Sequence, residues 1–392
     1  MISLKIDIYF SGFEQCLLIF AANTFNMIKK LFSYLLYCIY LLLIVGVGLE
    51  IFLRFYSPIE VRISSGKVVL PKNQKYLLPN KSFDKLAKNA VHTKNSWGFR
   101  GEEWDPASPR VKVLFVGGST TECYFSDDKN VWTSLYARQL GKDYLVNNAG
   151  LNGHSTFGHI TLLTEYIRDL KPDYVFFLAG INDVAVSENG ANAFDNKISG
   201  NNVEGFVIRL EERSRLLNLL HSFYRSYQAR KLDLADNLQW NLADKKSKYL
   251  YSEKEKEEIF RKHEAAQAAY AGRLKQLISL CRSVNATPVF ITQPLLFGRG
   301  TDPATGMDLG SFPIYGMTGR EYYQKLDYYN ETMRKTGAEN GVAVIDLAAF
   351  LPHDSRYYTD DMHFSDAGAV KIAEILHNKI EFDSNKQLHI KE

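Results

Sequence analysis

Cysteine is scarce: Cys16, Cys38, Cys123 and Cys281 are the whole supply in 392 residues. The first two lie in or before a long apolar run, so only two remain for the folded part, and a disulfide framework is excluded. Those two are expected as buried free thiols, a single Cys123–Cys281 bridge being the other arrangement. None of the spacings suits zinc, and neither a metal nor a cofactor is expected. An excess of one charge is lacking too. Lys+Arg of 47 against Asp+Glu of 44 leaves a formal +3, there is no basic stripe, and a nucleic-acid partner is not expected. The absence of G-x-G-x-x-G and of a Walker lysine argues against a nucleotide site. Internal repeats and low-complexity tracts are also missing.

What the chain does have is apolar surface. A hydrophobic content of 46% can fill a sizeable core. Residues 31–49, LFSYLLYCIYLLLIVGVGL, are 19 uncharged residues, and IFL continues the run past Glu50 to Arg54. About 20 residues at helical rise cross a bilayer. A cleaved leader has a shorter core of about 7–15 residues followed by an Ala-x-Ala-like site, and neither fits. The segment 1–56 therefore reads as an N-terminal stretch carrying one retained transmembrane signal anchor. Lys29 and Lys30 before the run, with Glu50 at its far end, favour an internal N-terminus and a domain on the periplasmic or extracellular side. Arg54, Arg62 and Lys67 on the other flank leave the count of positive charges itself undecided. MIKKLFSYLL at Met27 resembles a natural start for such an anchor, which would make residues 1–26 an upstream addition.

From 57 to 110 the chain is turn-rich (SPIE, LPKNQ, DPASPR) and reads as a linker and an N-terminal extension packed on the main domain. A rhythm then sets in. VKVLFV (111–116), YLVNN (144–148), DYVFFLA (173–179), TPVFITQ (287–293) and VAVIDL (342–347) are short β-branched and aromatic runs. Helical stretches at about 128–140, 155–170, 252–283, 319–339 and 365–380 separate them or come after them. Alternation of this kind is the signature of an α/β fold with a mostly parallel five-stranded sheet covered on both faces. The domain is expected over 111–385, with a helical insertion at about 184–250. Within it, FVIRLEERSRLLNLLHSFYRSYQARKL (206–232) has a Leu face suited to packing on the domain, to a lid or to a membrane surface. The Gly- and Pro-rich loop 297–319 is too long for a plain connection and is expected to border the site.

Ligands in open parallel sheets bind beyond the carboxyl ends of the strands. GGST comes after the first strand and exposes Ser119 where a helix opens; NAGLNGHS comes after the second and offers Gly153; AGIND comes after the third and offers Asn182. Near the C-terminus, YTDDMHFSDAG places Asp360 three residues before His363. Together these supply a nucleophile, a base, an acid to orient the base, and donors for an oxyanion. His363 would take the Ser119 proton, Asp360 would hold the imidazole, and the Ser119 and Gly153 backbone N–H groups with the Asn182 amide would bind the oxyanion. Asp361 is the other candidate acid, and His154 is either a substrate contact or, as favoured, a surface or capping histidine. An α/β-hydrolase elbow, G-x-S-x-G, is not matched because GGSTT lacks the last glycine.

These four blocks, in order over about 111–380, resemble the SGNH (GDSL-type) hydrolase superfamily, and within it a membrane-anchored Gly-Gly-Ser-Thr subgroup. The resemblance implies a flavodoxin-like three-layer sandwich and ester hydrolysis on lipids, sugars or polysaccharides, with O-acyl transfer to exported polysaccharide as the alternative use of one triad. A catalytically silent binding protein is a third reading, against which the complete set of blocks argues. NSWGFRG (95–101) is similar to a segment preceding the serine block in membrane-anchored members; Arg100 there either lines the site or ties the extension to the domain, the latter being favoured. The family's usual Asp before the serine is Gly118 here, and its small glycine four residues after the serine is Cys123.

Overall fold

The computed structural model describes residues 2–56, 63–64, 67–80, 83–189, 210, 213–220, 223 and 246–391. It divides into two compact units: one of residues 1–60 with 210–224, and one of residues 61–209 with 225–392.

In the first unit a single helix, α1 (Ile2–Phe55), contains the stretch Met27–Phe55, which is long and apolar enough to cross a membrane. Its Glu50 carboxylate accepts from Ser214 Oγ at 2.8 Å and from the backbone N–H groups of Arg215 at 3.1 Å and Leu216 at 3.0 Å. That carboxylate satisfies the free donors at the start of helical residues 215–220. Within the amphipathic segment 206–232, residues 210, 213–220 and 223 are thus grouped with α1; the remainder, like most of the expected insertion, lies outside the described residues.

In the second unit the extension forms an antiparallel hairpin of β1 (Gln74–Pro79) and β2 (Asn89–Lys94), then a two-residue strand, β3 (Arg100–Gly101). The rhythm expected from sequence comes next: β4 (Val111–Gly117), α2 (Ser119–Glu122), α3 (Trp132–Leu140), β5 (Tyr144–Asn148), α4 (Thr156–Leu170), β6 (Tyr174–Ala179) and α5 (Ile181–Asn189). After the insertion come α6 (Glu253–Arg282), β7 (Thr287–Thr292), α7 (Gly319–Asn340), β8 (Ala343–Ile345), α8 (Leu347–Phe350) and α9 (Asp366–Lys379).

The sheet has six strands in the order β8-β7-β6-β4-β5-β3. The five expected strands are all parallel and take the doubly wound 2-1-3-4-5 order of flavodoxin-like folds. The sixth, β3, pairs antiparallel with β5 through Arg100–Asn148 and Gly101–Asn147. Two residues carry no periodic signal, which is why sequence reading stops at five. β6 is buried at every position and β4 at all but Lys112, because helices cover both faces: α3 and α9 on one, α4, α6 and α7 on the other. α6 and α7 start where expected because Ser252 with Glu255, and Thr318 with Glu321, form complete capping boxes. α3 starts later than the spacing suggests. Asp128 accepts from Thr93 and Arg100 of the extension and so keeps residues 128–131 out of the helix.

Candidate active site

Strand β4 ends in two glycines for steric reasons. A Cβ on Gly117 would lie 2.1 Å from Thr121 Oγ1 and 2.7 Å from the Leu178 carbonyl; one on Gly118 would lie 2.3 Å from Asn182 Nδ2. In this chain a side chain at 118 would meet the Asn182 amide where it now lies. Leaving this turn, Ser119 opens α2, whose last carbonyls end at Cys123 in the left-handed conformation (φ 48°). That is the backbone state a glycine usually supplies, and Cys123 adopts it with its Sγ 3.3 Å from the Thr120 carbonyl.

Ser119 Oγ lies 2.8 Å from His363 Nε2, and His363 Nδ1 lies 2.6 Å from Asp360 Oδ2. Asp360 Oδ1 accepts from the backbone N–H groups of His363 at 2.6 Å and Met362 at 2.9 Å, which fixes the carboxylate against its own loop. The loop is closed by Thr359 N donating to the His363 carbonyl at 2.8 Å. An ionised carboxylate only accepts, so the imidazole proton sits on Nδ1 and Nε2 presents a lone pair to the serine hydroxyl. Burial pushes the Asp360 carboxyl up, but the His363 charge and three N–H donors outweigh it and leave it below the ordinary carboxylate range. For His363 burial works downward, while Asp360 and then Asp361 hold the imidazole above its usual value. The His363 side chain is 38% exposed, so a ligand can reach it. A hydroxyl bonded to an oriented base can lose its proton as it attacks a carbonyl carbon.

Asn182, at the start of α5, donates Nδ2 to the His154 carbonyl at 2.9 Å, next to the Gly118–Ser119 peptide. Gly153 takes φ +77° with open space where a Cβ would be, so its glycine serves the backbone conformation. It joins the group through its neighbour His154; among the described residues no hydrogen bond links it to Ser119, His363 or Asp360. The turn bearing it is tied to the serine turn by Leu151 N donating to the Gly117 carbonyl at 3.1 Å. His154 departs from expectation: it is buried, not a surface histidine, and its carbonyl positions Asn182. Asp361, the alternative acid, turns away and accepts from Tyr322 Oη at 2.6 Å and Tyr315 Oη at 3.4 Å. Burial, reinforced by Asp360, pushes its carboxyl up to about 6.

Arg100 is buried and spends its donors away from Ser119, His363 and Asp360; it ties the extension to the serine block, as favoured. Its guanidinium donates to the carbonyls of Glu122 (2.9 Å), Cys123 (2.7 Å) and Ser126 (2.8 Å) and pairs with Asp128 at 2.7 Å. Cys123 and Cys281 are free thiols, so the Cys123–Cys281 bridge does not form; Cys123 is only half-buried. Among the described residues no cluster of His, Cys, Asp or Glu is arranged to hold a metal.

A cleft of about 480 Å³ opens beside Asn182 and Met362. Its walls include Tyr251, Tyr315, Tyr322, Glu188, Lys262 and Lys325. Tyr315 comes from the 297–319 loop, at the tip of a hairpin (Pro313–Ile314 with Met317–Thr318) whose Tyr315 and Gly316 both take positive φ. That loop therefore borders the cleft. Sequence reading missed Tyr322 and Glu188, which sit on helices whose patterns signal only packing. It also passed over Asp183, buried beside Asn182 and held by Thr156 and by Arg273 at 3.1 Å.

The GDSL-like Lipase/Acylhydrolase family model matches residues 115–371. No curated protein matches the chain. Among solved structures, the chain is similar to a variant of Axe2, an acetyl xylan esterase from Geobacillus stearothermophilus, at 15% identity and TM-score 0.38, covering 69% of this chain and 95% of that one. It is similar to the acetyl xylan esterase AlAXEase at 14% identity and TM-score 0.37, covering 68% and 98%. It is similar also to TesA at 13% identity and TM-score 0.37, covering 68% and 95%. With a family match over most of the doubly wound unit, and with the serine, glycine, asparagine and histidine blocks at the ends of its strands and in its C-terminal loop, this chain belongs to the GDSL-like lipase/acylhydrolase family of ester-cleaving hydrolases.

Proposed function

We propose that this protein is a membrane-anchored serine acylhydrolase that works through an acyl-enzyme. The observation that carries the reading is the unbroken chain of bonds from Ser119 Oγ through His363 to Asp360, at 2.8 and 2.6 Å. Ser119 attacks the ester carbonyl while His363 takes its proton; Asp360 holds the imidazole and stabilises the imidazolium. The Asn182 amide, with the Ser119 and Gly153 backbone N–H groups, receives the oxyanion. His363 then protonates the leaving alcohol, and water repeats the sequence on the acyl-enzyme. The cleft beside Asn182 takes the rest of the substrate, an acylated glycan or lipid of the cell envelope. Residues 27–55 anchor the chain, and the catalytic unit faces the periplasm or the outside.

The full-length protein in detergent should release p-nitrophenol from p-nitrophenyl acetate. Ser119→Ala should abolish this with an unchanged melting temperature; persistent turnover would refute the reading. Acyl product accumulating on an added sugar at the expense of free acid would instead identify a transferase. Protease treatment of intact spheroplasts should remove the catalytic unit, whereas protection would place it inside.

A further inference from the structure

Three cations of the N-terminal extension reach three of the four motif-bearing segments. Arg100 collects the carbonyls at the end of α2. Lys94, buried at the end of β2, pairs with the equally buried Glu122 at 2.9 Å. The second oxygen of that carboxylate accepts from the Asn152 backbone N–H at 2.7 Å, one residue before Gly153. Lys85, between the hairpin strands, donates Nζ to the carbonyls of Ser355 at 2.5 Å and Tyr358 at 3.0 Å, the second two residues before Asp360. The same stretch continues along that loop. Asp366 N donates to the Lys85 carbonyl at 3.1 Å, and Ala87 N donates to the Asp366 carboxylate at 3.0 Å.

Lysine and arginine are seldom buried without a demanding partner. Here the partners are the Glu122 carboxylate for Lys94, and loop carbonyls with the Asp128 carboxylate for Arg100. α2 is a single turn of four residues, so its carbonyls lack a continuing helix, and the Arg100 fork fills that need. The loop carrying Asp360 and His363 lies between a 3-10 turn, Ser355–Tyr357, and α9, and Lys85 fastens its entry.

We infer that Lys85, Lys94 and Arg100 are positioning residues of the ester-cleaving reaction, and that the extension acts as a clamp fixing the serine, glycine and histidine segments relative to one another. The inference rests on the proposed Ser119–His363 chemistry. A clamp of this kind is felt in the chemical step, because displacing a reacting group by about 1 Å costs on the order of 10²-fold in rate.

Lys85 is the residue to test, because it is exposed whereas Lys94 and Arg100 are buried. In the full-length protein, Lys85→Met should keep its melting temperature and its KM for p-nitrophenyl acetate within about twofold, while kcat falls about 10-fold to 10²-fold. Lys85→Arg, which retains donors for both carbonyls, should recover most of kcat. The inference is overturned by an unchanged kcat in Lys85→Met, by a change confined to KM, or by loss of the fold, which would make Lys85 a plain stability residue. Ser119→Ala separates the two failures: if it is inactive and Lys85→Met is not impaired, only the clamp is wrong, whereas an active Ser119→Ala removes the triad reading itself.

Discussion

Gly118 and Asn182 share one space: the glycine's missing side chain is where the asparagine amide lies, 2.3 Å from the position a Cβ would take. Gly118→Ala therefore pushes away the amide that bonds the His154 carbonyl and faces the serine turn. Loss of one oxyanion donor costs about 10²–10³ in kcat. Steady-state kinetics of Gly118→Ala should show a loss of that order with KM nearly kept; wild-type turnover would exclude Asn182 from the oxyanion site.

The two adjacent acids should separate cleanly. Asp360→Asn leaves an amide that can donate where an acceptor is required, which favours the wrong imidazole tautomer, and kcat should drop by roughly 10³–10⁴. Asp361→Asn keeps an acceptor for Tyr322 and should hold kcat within about tenfold of wild type. Equal losses in both variants would contradict the assignment of Asp360 as the orienting acid.

The pH profile should carry the mark of His363. Burial holds His92 down to about 3 and His159 down to about 4, so neither titrates near neutrality. His363 is displaced the other way by Asp360. The proposed chemistry needs the unprotonated imidazole, so the acid limb of kcat/KM should have its midpoint above about 6.5, the ordinary imidazole value. A midpoint below that would mean that Asp360 does not stabilise the imidazolium.

Asp361 makes a separate prediction about stability. Its carboxyl is raised to about 6 in the folded protein by burial and by Asp360. Its contribution is present in full below about pH 4 and is lost as pH rises through about 6. Thermal melts across that window should show a decline in the wild type that Asp361→Asn lacks. Parallel curves for the two proteins would count against a raised Asp361.

The thiols should be silent. Burial pushes both Cys123 and Cys281 up to about 12, and the thiolate is the reactive form. Iodoacetamide at about pH 8 should label Cys281 only after denaturation and the half-buried Cys123, held as the thiol, far more slowly than an ordinary cysteine, as read by peptide mass spectrometry. A reductant should leave the melting temperature unchanged.

The sheet was legible because each parallel strand is a short apolar run bounded by turn residues. The serine, asparagine and histidine blocks were legible for a related reason: a doubly wound sheet gathers its strand ends, so the residues just past the strands are also those of the candidate site. The extension was not legible. Lys85 lies 270 residues from Ser355 in the chain, and nothing around either residue announces the bond. Lys94 and Arg100 have the composition of surface cations, and only the closed fold shows that they are buried. His154 was misjudged because its part is played by a carbonyl, which every residue possesses.

Ser119 and His363 stand 244 positions apart, the first at the end of the opening parallel strand and the second beyond the closing one. A ribosome therefore displays the hydroxyl long before the imidazole has been made. On the proposed chemistry, a polypeptide cut short before Asp360 and His363 carries a hydroxyl with nothing to awaken it.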